Sequence, residues 1–270
     1  MNELVDRRVL GAFVCIDAMT GTSVANPVPV TSPQWNLKPN RSGVYVIFDG
    51  PGMSALTTQF IPSATWPATP TTFEVTLQDP NRRYLPRRAN VGAPMTVPVI
   101  GTAPAGSTTN PAALAALADP KSVFDPQQVP LYPAPSAPIG SNWAVIHASV
   151  VRSGTTPPQG LPWAVLQVVR DSDNTVLATG QADASGEALL AVIGLSMKAS
   201  TTGTGPVTVS TVDVTIKALF DPAALTQPSG WIPNPDDILT NLSNPAFKST
   251  SQPVQLESGQ ELSMSFAISV

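Results

Sequence analysis

Prolines rule out more structure in this chain than any other residue. Thirty of its 270 residues are proline. They recur from end to end, as in Asn26-Pro27-Val28-Pro29, Tyr132-Pro133-Ala134-Pro135 and Ile232-Pro233-Asn234-Pro235. Inside a helix a proline removes a backbone hydrogen bond and clashes with the preceding turn, so long helices are excluded. Short strands tolerate proline at edges and turns. Hydrophobic residues make up 42% of the chain, enough to bury real cores. A length of 270 residues suits two domains better than one. The expectation is an all-β protein with little helix.

The stretch from Trp163 to Gly194 shows the pattern most clearly. Apolar runs at Val165–Val169, Val176–Ala178 and Ala188–Ile193 are separated by Asp171-Ser172-Asp173-Asn174 and Asp183-Ala184-Ser185-Gly186. Asn, Asp, Ser and Gly are the residues that bond their own backbone or accept positive φ. The stretch therefore reads as a strand–turn–strand–turn–strand meander.

Similar signals run along the rest. Val9–Ile16 is apolar on both faces and reads as a central strand. Val24–Val30, broken by Pro27 and Pro29, suits an edge strand. Asn40-Arg41-Ser42-Gly43 is a turn leading into a strand at Val44–Phe48. Phe73, Val75 and Leu77 alternate with Glu74 and Thr76, as a half-buried strand does. Val91–Ile100 holds room for a last strand of the first domain. Residues 101–140 are rich in Pro and Ala and read as a linker, with a short helix at Pro111–Ala118 and a stiff extended tract at Tyr132–Pro138. Trp143–Val151 is a strand. Val207–Phe220 alternates but changes phase near Thr211, which predicts a bulge or break there. Pro222–Phe247 reads as an irregular insert, with a short helix starting at Pro235-Asp236-Asp237. Leu262, Met264, Phe266, Ile268 and Val270 alternate with small residues, a strand running to the last residue. The domains are thus 1–100, a linker at 101–140, and 141–270, with each domain expected to be a β-sandwich.

The two halves rhyme. Asn40–Phe48 parallels Asp183–Ile193. Thr72–Leu77 before Asp79-Pro80 parallels Thr211–Ile216 before Asp221-Pro222. This spacing reads as two copies of one architecture.

Charge narrows the function. Only 12% of residues are charged, about half the usual share. A surface this poor in charge fits either a polar exterior rich in Ser, Thr and Gln or coverage by partner chains. Net charge is −4, with residues 1–100 at +2 and 101–270 at −6. That polarity suits oriented packing; nucleic-acid binding wants a strongly basic domain. The single cysteine, Cys15, allows no internal disulfide. The start, MNELVDRRVLGAFV, has no long apolar run after a basic end, and no stretch approaches the ~18 apolar residues of a membrane span. A cytoplasmic origin before assembly is expected.

Few residues in the chain carry the types and spacings that chemistry requires. The one histidine, His147, sits inside a strand and reads as structural. One His and one Cys cannot build a nitrogen- and sulfur-ligated zinc site. No phosphate loop, dinucleotide fingerprint or nucleophile elbow is present. Asp171 with Asp173 and Asp236 with Asp237 read as turn and helix caps before cation ligands. No catalytic residue, cofactor, metal or small-molecule substrate is therefore expected. One charge cluster stands out, Arg82-Arg83-Tyr84-Leu85-Pro86-Arg87-Arg88. Arg and Tyr are favoured interface anchors, and a protein interface is the reading preferred over a solvated loop or a phosphate contact. Trp35, Trp66 and Trp231 lie in proline-rich loops, where exposed rings would anchor a partner chain or stack on sugars.

The opening meander, with Gln181-Ala182-Asp183-Ala184-Ser185-Gly186-Glu187 as its turn, resembles the carboxypeptidase regulatory-like, transthyretin-like β-sandwich family over about residues 143–221, and more loosely over 9–79. The resemblance implies a spacer, stabiliser or interaction module. Asn40–Phe48 followed by Phe73–Pro86, including DPNRRYLP, resembles small β-sandwich proteins encoded with phage tails and contractile injection particles. Together these imply a non-enzymatic structural or adaptor subunit of a large assembly, such as a baseplate, cap or sheath-associated protein, located in the virion or particle after assembly. A carbohydrate-binding or adhesin-like module using the loop tryptophans is the alternative.

Overall fold

The computed structural model describes residues 9–51, 71–93, 126–195, 197–198, 208–209 and 211–270. Among the described residues strands dominate and helix is confined to single turns, so the fold class is all-β. Among the described residues no helix is long and apolar enough to cross a membrane. Trp66, the Pro111–Ala118 helix and residues 94–100 of the Val91–Ile100 strand lie outside the described residues. The chain divides into two compact units. The first takes Met1–Ile16, Ser23–Leu77 and Ala89–Val129; the second takes Asp17–Thr22, Gln78–Arg88 and Pro130–Val270.

In the first unit, β1 (Gly11–Asp17), β3 (Asn36–Pro39), β4 (Val44–Asp49) and β7 (Gln127–Leu131) form one sheet in the order β3-β4-β1-β7. β2 (Val30–Thr31), β5 (Thr71–Leu77) and β6 (Arg87–Ala93) form another in the order β2-β5-β6. β1 is interior, as its two apolar faces predict. Cross-strand partners Phe13 and Tyr45 stack at 4.8 Å. Of the expected Val24–Val30 stretch only its two ends pair, Val24 N–H with Cys15 O at 3.0 Å and Val30 in β2, because Pro27 and Pro29 have no N–H to contribute. Strand β7 and the buried Tyr132 and Ala134 correct the view of residues 127–134 as linker. Trp35 is a second correction. It is 7% exposed and stacks on Phe73 at 4.2 Å, and Gly50 leaves room for its ring, since a Cβ there would fall 2.3 Å from it.

In the second unit, β8 (Ala144–Arg152), β11 (Glu187–Val192) and β16 (Glu261–Ile268) make one sheet, ordered β11-β8-β16. β9 (Val165–Arg170), β10 (Val176–Gln181), β14 (Val212–Phe220) and β15 (Lys248–Leu256) make another, ordered β10-β9-β14-β15. Alternate residues of both sheets share one core, including Ile146, Val150, Leu166, Val168, Ile216, Phe220 and Phe266. The Trp163–Gly194 meander has its three strands where expected, but the third crosses to the other sheet. β9 and β10 pair with each other, whereas β11 pairs with β8. A corner bridge, Ala182↔Ala188, joins the two. The phase change near Thr211 is a break: β12 (Met197–Lys198) and β13 (Thr208–Val209) pair separately, and β14 starts at Val212. Val214, Ile216, Ala218 and Phe220 then face inward. The last strand stops at Ile268 rather than at the final residue.

Within the insert read as irregular, Asp221 caps a 3-10 turn at Pro222–Thr226, and α1 spans Asp236–Leu239 with two aspartates in its first turn. Ile238 packs with Val165 and Leu219 in a satellite cluster, backed by Leu239 and Phe247. The insert thus covers the outer face of the β9–β14 sheet at one end.

Candidate functional site

The arginine cluster begins with a turn that occurs three times among the described residues. Asn40 Oδ1 accepts the N–H groups of Ser42 and Val44 at 2.9 and 3.0 Å. Asp183 Oδ1 accepts those of Ser185 and Glu187 at 2.8 and 3.0 Å. Asp79 accepts those of Asn81 and Arg83, both at 2.9 Å. In each turn the fourth residue donates its N–H to the first residue's carbonyl, at 3.1, 3.2 and 3.1 Å. That fourth residue has positive φ: Gly43 at 76°, Gly186 at 88° and Arg82 at 55°. Glycine adopts this region without cost; arginine does not. The Asp79 turn therefore holds an exposed arginine in a strained backbone position where its two sister turns use glycine.

Beyond the turn the chain is fastened inside the second unit. Leu85 N–H donates to Tyr132 O at 2.9 Å and Ala134 N–H to Arg83 O at 2.8 Å, forming a short antiparallel pairing. The Tyr84 hydroxyl donates to Asp17 Oδ2 at 2.8 Å, while Asp17 Oδ1 accepts Met19 N–H. Burial first, and then that hydrogen bond, push the Tyr84 hydroxyl up to about 12. Arg83 lies over the Tyr84 ring at 5.8 Å.

Arg87 and Arg88 point into the fold. Arg87 is fully buried, at 0% exposure. Its guanidinium donates to Asp236 Oδ2 at 2.6 Å, to Arg88 O at 3.2 Å and to Pro130 O, and lies 5.6 Å from the Tyr132 ring centre. Burial pushes the Tyr132 hydroxyl up to about 12. Arg88 Nε donates to Ile232 O at 2.6 Å, its backbone N–H to Pro233 O at 2.7 Å, and its guanidinium covers the half-buried Trp231 at 5.3 Å. Asn234, also buried, donates from Nδ2 to Asp237 Oδ1 at 3.0 Å and accepts Asp236 N–H at 3.3 Å, which fixes the start of α1.

The cluster thus splits. Arg82 and Arg83 are exposed at the tip; Tyr84, Arg87 and Arg88 anchor it. Arg87 cannot serve as an interface contact, because its head is already used internally. Trp231 is brought beside Arg88, whereas Trp35 is packed in the first unit and is closed to a sugar. Sequence reasoning missed Asp17, Tyr132 and Asp236. One signal was present: Arg87, Ala89, Val91 and Ala93 alternate at period two, and all four are buried in β6.

Elsewhere, His147 Nε2 lies 3.0 Å from Glu261 Oε1 on neighbouring strands. An open pocket of about 660 Å³ is lined by Arg170, Asp171, Leu195 and Asp213 among others. Asp171 already accepts the Thr215 hydroxyl at 2.8 Å, and Asp213 the Gln255 amide at 2.8 Å. Among the described residues no three His, Cys, Asp or Glu side chains are grouped to hold a metal ion. No protein-family model matches the chain, and no curated protein matches it either.

Proposed function

We propose that this chain is a non-enzymatic structural or adaptor subunit of a multi-chain protein assembly, and that the Asp79–Tyr84 turn is one of its contacts. The carrying observation is Arg82. Non-glycine residues at positive φ cost roughly 1–3 kcal/mol and persist where the surroundings over-determine them, which is a mark of functional positions. Here an Asp cap, a paired strand and two internally anchored arginines hold the tip rigid. A rigid tip bearing exposed Arg82 and Arg83 loses little entropy on docking, and arginine is a favoured anchor at protein interfaces.

The resemblance of DPNRRYLP and its flanking strands makes a phage tail or contractile injection particle the best candidate assembly, with the chain cytoplasmic before assembly and in the particle afterwards. Two β-sandwiches are the architecture this reading uses; the shared core of the two sheets in the second unit and the matched Asn40 and Asp183 turns support it. Native mass spectrometry of the chain co-expressed with the products of its neighbouring genes tests the reading. Stoichiometric complexes containing the chain are expected; a chain that stays alone with every neighbour would overturn it.

A further inference from the structure

The sheet edges are not alike. β3 carries Lys38, Pro39 and a register shift after Asn36. β10 carries Gly180 and a register shift between Val176 and Ala178. β15 carries Lys248 and Pro253. Each feature keeps an edge from accepting another strand. β16, with the sequence ELSMSFAI, has no proline, lysine, arginine or register shift.

β16 also uses one side only. It runs parallel to β8, from Glu261↔Val145 to Ile268↔Arg152. Val145 N–H donates to Gln260 O at 2.7 Å and Ser153 N–H to Ile268 O at 2.8 Å. Even-numbered residues therefore turn their backbone groups toward β8. Successive residues of a strand turn theirs to opposite sides, so Glu261, Ser263, Ser265 and Ala267 aim N–H and C=O away from the sheet. Among the described residues only Ser265 O of these groups has a partner, the Gln252 side-chain amide at 2.7 Å. The side chains of the same four residues are exposed. The strand's one charge, Glu261, lies against His147 within its own sheet.

We infer that this edge pairs with the same edge of a second copy, antiparallel and centred on Ser265. That register sets Ser265 opposite Ser265, Ser263 opposite Ala267 and Glu261 opposite Ser269, so no like charges face each other. The central pair exchanges two hydrogen bonds, and the second lone pair of Ser265 O allows its Gln252 contact to remain. The two sheets join into one continuous sheet across the dimer. The pairing names one partner within the assembly reading above and rests on it.

Light scattering on the full chain across a concentration series provides the test. The wild-type chain is expected to dimerise. Ser263→Lys places a charge on the edge and is expected to weaken the dimer by roughly tenfold or more, while Ser251→Lys on exposed β15 leaves it unchanged. Ser263→Pro removes one outward N–H without touching a bond to β8 and should abolish the dimer; where it fails to fold, the Ser263→Lys result decides. Ser265→Cys should cross-link on oxidation, because Cα atoms of a hydrogen-bonded antiparallel pair lie about 5.5 Å apart, within disulfide reach. A wild-type chain that is monomeric throughout, or a dimer unmoved by Ser263→Lys, would overturn the pairing. A monomer that still enters complexes with neighbouring gene products overturns the edge pairing alone; a dimer that joins none overturns the assembly reading alone.

Discussion

Arg87 and Asp236 meet at 2.6 Å across 149 residues of sequence, and the pair is lopsided: the arginine side chain is 1% exposed and the aspartate 39%. Removing the two partners should therefore have unequal effects. Asp236→Ala leaves a buried guanidinium facing only carbonyl oxygens and the Tyr132 ring, and is expected to cost about 3 kcal/mol. Arg87→Met removes the buried charge, fills much of the same volume and leaves Asp236 reachable by water. Its main cost is the unpaired Pro130 carbonyl, about 1–2 kcal/mol. The double variant should be no less stable than Asp236→Ala alone. Chemical denaturation of the four proteins measures this; equal losses from the two single changes would contradict the assignment.

Arg82→Gly should stabilise the chain. Gly43 and Gly186 show that the turn is built for glycine at this position. Relief of the left-handed arginine is worth about 1 kcal/mol, which for a chain of this size raises the melting temperature by a few degrees. Calorimetry checks it, and a fall in melting temperature would remove the strain argument.

The two glycines of the sister turns should differ in their tolerance of alanine. A Cβ on Gly43 meets nothing closer than Val24 O at 3.5 Å, whereas one on Gly186 would lie 2.6 Å from Val150 O and 2.9 Å from Leu161 N. Gly43→Ala carries only the conformational cost, about 1 kcal/mol. Gly186→Ala must also push backbone apart, and its loss of stability, read by denaturant midpoint, should be clearly larger.

All three tyrosines are raised above their ordinary value. Burial is the first cause for each, and it favours the neutral hydroxyl; Tyr84 and Tyr132 reach about 12 and Tyr45 goes higher. The unfolded chain loses these protons near pH 10 while the folded chain keeps them. The stability these tyrosines contribute is therefore constant below about pH 10 and is lost as pH rises toward 12. An absorbance titration should show almost no tyrosinate at pH 10.5 in the native protein and roughly three-quarters ionisation once it is unfolded at the same pH. Ordinary titration near pH 10 in the native state would contradict the burial of these rings.

What could be read from the sequence was local. Period-two alternation marked β5, β16 and the core face of β14, apolar runs marked β4 and β9, and the Asx-type turns at Asn40 and Asp183 are encoded in four adjacent residues each. What could not be read depends on distant partners. β11 looks like the third strand of a meander, and only its pairing with β8 moves it to the other sheet. β15 was missed because just Val254 and Leu256 supply apolar weight to the core from its inward face, while Thr250 and Gln252 fill the rest of that face near the sheet's edge. Trp35 looks like an exposed loop residue until Phe73 and the bare face of Gly50 are placed around it. The arginines read as one patch because a run of like charges suggests solvent. Asp236 and Tyr132, which draw Arg87 inward, lie far away in the chain.

The division of labour in that run yields the most direct test. Ser replacing both Arg82 and Arg83 removes the exposed tip and leaves Arg87, Arg88 and their anchors in place. Binding of this double variant to the partner found by co-expression should be measured by calorimetry beside the wild-type chain. The account predicts a loss of affinity of roughly tenfold or more, or about 1.4 kcal/mol, with the melting temperature unchanged or higher. Undiminished affinity in the folded double variant would contradict it.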